Sequence, residues 1–347
     1  MPKPDFTKNW GIVGHQPVVD FLKTSIKKER VSHAYLFAGQ AGLGKRKVAK
    51  NLLAALLCLN KKNDSPCQAC SNCQQLEKNI HPDVNWIERT TDAKTGKLKK
   101  NITIEQIREV RSRLGRGSFL NSYKIAVINK AELMSLGAAN ALLKILEEPN
   151  EKTIIILITA NSDYLPETII SRCQQLKFES VSRQLIYDYL TSLGSSRTLA
   201  NDLGYLANGR PGVAIKFYRD DELLELYQKQ VKEFLKLTNS DSLTKFKIAE
   251  ELSQAGEELI SKIKLLGEIL DIWAIIVRDV ILLKNSRQEI PDGLANVWLL
   301  KQLKTAKLYK EDSAKLNQYL QLIEGTKKLL GNNINPRLAL ENLVLNF

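Results

Sequence analysis

The sequence predicts a parallel α/β sheet with helices on both faces over its first half, and a wholly helical second half. Three observations carry that expectation. Apolar runs of strand length alternate with helical periodicity up to about residue 178. A glycine loop stands between the first run and the helix that follows it. Beyond residue 178 no long β-branched run recurs.

The first run, Ala34–Ala38 (AYLFA), ends at Gly39. Val48, Leu52, Leu53, Leu56 and Leu57 then fall at helical spacing within residues 45–59. Residues 124–128 (KIAVI) form a second strand-like run, followed by a helix-like segment over 135–148. Thr153–Thr159 (TIIILIT) is β-branched and bounded by polar residues. Without polar alternation it reads as a strand buried on both faces, as in a parallel sheet. Later, Leu259, Ile263, Leu266, Leu270, Trp273, Val277, Val280 and Ile281 recur at three- and four-residue steps. The glycine-proline turn Gly209–Gly212 breaks this helical region. The predicted domains are 1–178, 179–220 and 221–347.

A chain of 347 residues, 44% hydrophobic, is long enough for more than one core. Its net charge of +13 favours polyanionic partners, nucleic acid first. The first ten residues lack the apolar core of a signal peptide. No apolar run approaches the ~20 residues that span a bilayer, and Arg278 and Asp279 interrupt the greasiest late segment. The expectation is a soluble cytoplasmic protein without a membrane partner.

The segment GQAGLGKRK places Gly39, Gly44 and Lys45 at the spacing of a phosphate-binding loop, with Gly42 between them. Glycines let consecutive backbone N–H groups face phosphate oxygens, and the following helix N-terminus adds partial positive charge. Lysine reaches the outer phosphates, a hydroxyl residue holds Mg²⁺, and an acidic residue completes the metal site. Arg46 stands at the hydroxyl position and has no lone pair for a metal. After the second strand, where an Asp and a Glu are expected, the chain has Asn129 and Lys130. Three substitutions of one electrostatic sense argue against hydrolysis at this loop. ATP or ADP can still bind it, with Arg46 partly replacing the cation, and Mg²⁺ is not expected there.

Four of five cysteines cluster as Cys58, Cys67, Cys70 and Cys73, and Cys173 stands alone. The set is too few and too clustered for a disulfide scaffold and points to metal. Four thiolates suit tetrahedral Zn²⁺, here a closed and therefore structural site in an insertion over about 58–80. Pro66 and the Ser71-Asn72 pair are expected to make its turns, and Lys61, Lys62 and Lys78 to offset its charge. His15, His33 and His81 share no ligand or triad spacing and read as structural or surface groups. The basic run 94–100 (KTGKLKK) reads as a solvated loop.

The accumulated motifs resemble the delta-prime family of bacterial DNA polymerase III clamp-loader subunits, within the AAA+ superfamily. The resemblance rests on VGH at 13–15, HAYLF at 33–37, the four-cysteine insertion, ALLKILEEP at 141–149, SRC at 171–173 and NPRLALE at 335–341. It covers nearly the whole chain and is densest over 10–180. It implies an AAA+ nucleotide-binding-like domain, a helical lid over 179–220 and a helical collar over 221–347 that joins a five-subunit ring. The implied partners are gamma/tau-type motor subunits and a delta-type subunit, with primed DNA and a sliding clamp met through the complex. The resemblance also implies no intrinsic ATPase, and that Arg172 of the SRC motif acts in trans on a neighbour's ATP. A second sensing arginine, expected in a lid-helix turn, falls on Gly212, with Arg210 two positions early. Thr159 and Asn161 stand where a first sensor would be. The alternatives are an active motor subunit of the same loader and a zinc-bearing nucleic-acid-binding protein.

Overall fold

Helix α1 (Gln16–Lys27) starts behind His15, with a proline in its first turn, where the missing N–H has no intrahelical partner to lose. A computed structural model of the chain describes residues 6, 9–61, 66–92, 96, 98–115, 123–254, 259–331 and 334–347. The side chains of residues 254 and 259–261 are likewise not described, which leaves Leu259 of the apolar stripe out. The chain divides into two compact units, Met1–Tyr189 with Gly209–Gly212, and Leu190–Asn208 with Val213–Phe347.

In the first unit α1 is followed by β1 (Ala34–Ala38), α2 (Lys45–Leu57), α3 (Ser71–Glu77), β2 (Val84–Ile87) and α4 (Ile104–Gly115). Then come β3 (Lys124–Asn129), α5 (Leu136–Glu147), β4 (Thr153–Thr159), α6 (Glu167–Ile170), β5 (Gln174–Lys177) and α7 (Arg183–Ser192). Among the described residues the sheet has five parallel strands in the order β2-β3-β4-β1-β5. Consecutive side chains alternate between its faces. Tyr35, Phe37, Ile154, Ile156 and Ile158 enter one core with Val48, Leu52 and Leu53 of α2. Leu36, Ile155 and Leu157 enter the other with Ile107 of α4 and Leu142 of α5. All of β4 is buried, as its unbroken apolar run requires. Each such side chain contributes about 1.5–3 kcal/mol on burial, so the central strands anchor the unit.

Two strands fall outside the predicted runs. In β5 (QQLK) Leu176 is buried while the flanking residues are exposed, as suits a sheet edge. In β2 (VNWI), at the other edge, Ile87 alone is fully buried. Helix α5 starts where predicted because the Ser135 hydroxyl accepts the Ala138 N–H at 3.2 Å.

The second unit is helical: α8 (Arg197–Ala207), α9 (Pro211–Arg219), α10 (Asp221–Asn239), α11 (Ser242–Gln254), α12 (Leu259–Asn285), α13 (Leu300–Thr305), α14 (Lys307–Lys310), α15 (Ser313–Leu330) and α16 (Pro336–Leu345). An aromatic cluster joins them. Phe234 of α10 stacks on Trp273 of α12 at 4.8 Å, and Phe347 meets Phe234 at 5.2 Å and Tyr319 of α15 at 4.9 Å. The charged pair inside the greasy segment lies within α12. Asp279 is fully buried and accepts the Ala295 and Asn296 N–H groups at 3.1 and 2.8 Å and Asn296 Nδ2 at 2.9 Å. Burial pushes its pKa up, opposed by these bonds and by Arg278. Among the described residues no helix is long and apolar enough to cross a membrane.

Candidate functional site

The glycine loop leaves the carboxyl end of β1 and runs into α2, the edge where open α/β sheets place ligands. Its backbone needs glycine. Gly39, Gly42 and Gly44 have φ of 145°, 88° and 94°. A Cβ on Gly39 would lie 2.2 Å from the Phe178 carbonyl oxygen, whereas one on Gly44 would meet nothing within 4 Å. Lys45 opens α2, is buried, and turns its Nζ back onto the loop, donating to the Gly39 carbonyl and to the Gln40 carbonyl at 2.6 Å. Burial lowers its pKa to about 8, and the nearby Glu132 carboxylate opposes that shift. Behind the loop the His15 ring meets Phe178 at a tilt of 54°, centroids 4.9 Å apart, and burial lowers its pKa.

The positions that such a loop gives to metal and water are brought together around a residue that sequence reasoning missed. Arg46 Nη1 and Asn129 Nδ2 both donate to Glu88 Oε1, at 2.6 and 3.0 Å. The Arg46 guanidinium also lies over the Trp86 ring, 5.1 Å from its centroid. Glu88 follows β2, next to the end of β3, so strand pairing delivers it. Lys130 is exposed in the left-handed region at φ 56°. Glu132, two residues on, has a buried Oε2 without a hydrogen-bond partner among the described residues.

Thr159 and Asn161 are held by their own turn. The Thr159 hydroxyl donates to the Asn161 carbonyl at 2.8 Å, and Asn161 Oδ1 accepts the Asp163 N–H at 2.9 Å. Gly212 comes directly to the loop, its N–H donating to the Gly42 carbonyl at 2.7 Å. A Cβ on Gly212 would lie 2.7 Å from that oxygen, so this position excludes any side chain, arginine included, as the turn now stands.

Arg172 is not part of this cluster. It precedes β5, whose Gln174 pairs with Tyr35, so Arg172 stands level with the entry end of β1. The loop leaves the exit end, about six strand residues away, or roughly 20 Å. The Arg172 guanidinium forms an ion pair with Glu147 Oε1 at 2.9 Å and donates a hydrogen bond to the Thr168 carbonyl at 3.0 Å. Its neighbour Cys173 packs against the core, and burial pushes its thiol up to about 12.

The four sulfur atoms of Cys58, Cys67, Cys70 and Cys73 lie within 4.8 Å of one another and could hold a metal ion. The Cys67 N–H donates to Cys58 Sγ and the Cys70 N–H to Cys67 Sγ, each at 3.3 Å. Such bonds stabilise thiolates, the form a metal needs. Cys70 is lowered to about 6, its bonds outweighing burial, while burial raises Cys73. Ser71 and Asn72 do not make the expected turn. They open α3, with Cys70 at its N-cap, and Asn72 Nδ2 donates to the Leu57 carbonyl at 2.9 Å. The helix thereby brings Cys73 back beneath the end of α2. Lys62 lies outside the described residues, as do residues 94, 95 and 97 of the basic run.

A parallel sheet, a phosphate loop at its carboxyl edge and a four-thiol insertion define an α/β protein of the P-loop class. A family model described as DNA polymerase III, delta subunit, matches residues 14–182. DNA polymerase III subunit delta′ of Bacillus subtilis is 33% identical over 329 residues, 94% of each chain. The delta′ subunit of Pseudomonas aeruginosa is 38% identical over 144 residues, 42% of each chain. The B. subtilis tau subunit is 32% identical over 195 residues, 56% of this chain and 33% of that one. The chain belongs to the delta-prime family of DNA polymerase III clamp-loader subunits.

Proposed function

We propose that this chain is a non-hydrolysing clamp-loader subunit that completes the ATP site of a neighbouring motor subunit through Arg172. The observation that carries the reading is the position of Arg172 at the sheet edge opposite the chain's own phosphate loop. An arginine side chain cannot cross roughly 20 Å of strand, so any nucleotide it serves belongs to another chain. A guanidinium offers planar donors to γ-phosphate oxygens and stabilises charge that builds in the transition state, a contribution of ~10³–10⁵ in rate in such enzymes.

The chain's own loop supports the complementary half. Glu88, the carboxylate beside Arg46 and Asn129, is engaged by both rather than open to Mg²⁺. The loop amides and Lys45 can take ATP or ADP without hydrolysing it. The four cysteines hold a structural Zn²⁺ that ties the insertion to α2 and α3. Residues 179–220 serve as a lid and 221–347 as a collar in a five-subunit ring with gamma/tau-type and delta-type subunits. Within that complex, in the bacterial cytoplasm, the chain helps place a sliding clamp on primed DNA, which the net charge of +13 suits.

A competing reading, an active motor subunit, draws on Glu132, which has a buried oxygen without a hydrogen-bond partner among the described residues and lies near enough to Lys45 to raise its pKa against the effect of burial. The two differ in one assay. The isolated chain with Mg-ATP should release phosphate at background, unchanged in Lys45→Ala. Turnover that Lys45→Ala abolishes would establish the motor reading instead.

A further inference from the structure

The Arg172 side chain is held from two directions within its own chain. Nη2 pairs with Glu147 Oε1 at 2.9 Å, and Nη1 donates to the Thr168 carbonyl at 3.0 Å. Both supports stand on elements packed into the core. Glu147 closes α5, which buries Ile145 and Leu146 immediately before it. Thr168 lies in α6 beside the fully buried Ile169. The turn after α6 is tied down by the Ser171 N–H on the Glu167 carbonyl at 2.8 Å and the Arg172 N–H on the Ile169 carbonyl at 3.2 Å.

We propose that Glu147 is a positioning residue that presents the Arg172 guanidinium to the neighbour's nucleotide. The proposal rests on the trans-acting reading of Arg172. A guanidinium carries five N–H donors in one plane. The hydrogen bond to Thr168 and the ion pair with Glu147 bias the direction of that plane and leave the remaining donors for phosphate oxygens. A long side chain that already occupies its working rotamer has less freedom to lose when the phosphate arrives. The carboxylate does not trap the arginine. The two side chains remain 38% and 49% exposed, and ion pairs of that exposure are weak and exchangeable. The phosphate oxygens are met by the guanidinium donors that Glu147 and the Thr168 carbonyl leave free, so Glu147 stays in place as the nucleotide binds.

The test uses the reconstituted loader with its motor and delta-type subunits, clamp and primed DNA. Steady-state ATP turnover is measured for the wild-type chain, Glu147→Ala, Glu147→Gln, Arg172→Ala and the Glu147→Ala/Arg172→Ala double variant. The turnover lost in Arg172→Ala defines the arginine-dependent part. Glu147→Ala should remove about nine-tenths of that part, a loss expected of a misplaced catalytic group, with KM for ATP unchanged. Glu147→Gln keeps the shape but not the charge of the ion pair and should lose a similar share. In the Arg172→Ala background Glu147→Ala should change nothing further. Full turnover in Glu147→Ala, or an equal loss in both backgrounds, overturns the positioning role while leaving the trans reading intact. Wild-type turnover in Arg172→Ala removes both. Gel filtration and thermal melting of the Gln variant separate a loss of chemistry from a loss of assembly.

Discussion

Arg46 and Asn129 share one acceptor: both donate to the same Glu88 carboxylate oxygen, at 2.6 and 3.0 Å. Where a hydroxyl and a carboxylate would hold a divalent cation, the chain has a fixed guanidinium and its own counter-ion. Changing one member does not rebuild a metal site. Arg46→Thr should therefore leave phosphate release by the isolated chain at background, since Asn129 and Lys130 remain. The cost in stability should be about 1 kcal/mol or less, because the pair is largely exposed. Mg²⁺-dependent turnover in this single variant would contradict the account of the loop.

Two loop glycines should respond differently to the same substitution. At Gly39, φ is 145° and a Cβ would sit 2.2 Å from the Phe178 carbonyl, which itself accompanies the end of β1. Gly39→Ala should cost about 2–4 kcal/mol in denaturant melts, or prevent folding. Gly44 has φ of 94° but open space around it, so Gly44→Ala should cost only about 1 kcal/mol. Equal costs at the two sites would mean that backbone strain, not the clash, governs this loop.

The buried Lys45 gives the loop a pH signature. Its folded pKa of about 8 lies below the ordinary 10.5, so the unfolded chain binds the proton more tightly. Stability from this group rises with pH between about 8 and 10.5, and the burial penalty is fully present below about 8. Comparing unfolding of wild type and Lys45→Met at pH 7.5 and 10.5 isolates it. The difference should move in favour of the wild type at the higher pH, on the order of 3 kcal/mol at most. A difference that does not change with pH would show that Lys45 is solvated.

The thiol cluster makes a stoichiometric prediction. Gently purified protein should carry one zinc per chain by elemental analysis. Cys73→Ser should lose the metal and lower the melting temperature, because a structural zinc site contributes its binding energy to folding. Well under one zinc in the wild type would remove the site. Acidification should release the metal as protons compete for the four sulfurs.

The strands legible in the sequence are the buried ones. Ala34–Ala38 and Thr153–Thr159 lie where their apolar runs predict, and β3 extends its run by Asn129 alone. The edge strands β2 and β5 were not legible, because a strand covered on few sides needs few apolar residues. The same limit applies to the site. Gly39, Lys45, Arg46 and the four cysteines announce themselves by local spacing. Glu88 and Glu147 do not, since a surface carboxylate has no local pattern and their partners Arg46 and Arg172 are brought to them by the sheet and by α5 and α6. Gly212 was legible as a missing arginine, but the reason no arginine fits, the Gly42 carbonyl, is visible only in the fold.

The central claim is that this chain acts on ATP held by another subunit. The most direct measurement is DNA-stimulated ATP hydrolysis by the reconstituted loader carrying either the wild-type chain or Arg172→Ala. The Arg172→Ala complex should assemble normally, with turnover falling at the motor site this chain completes. An assembled Arg172→Ala complex that hydrolyses ATP at the wild-type rate would contradict it.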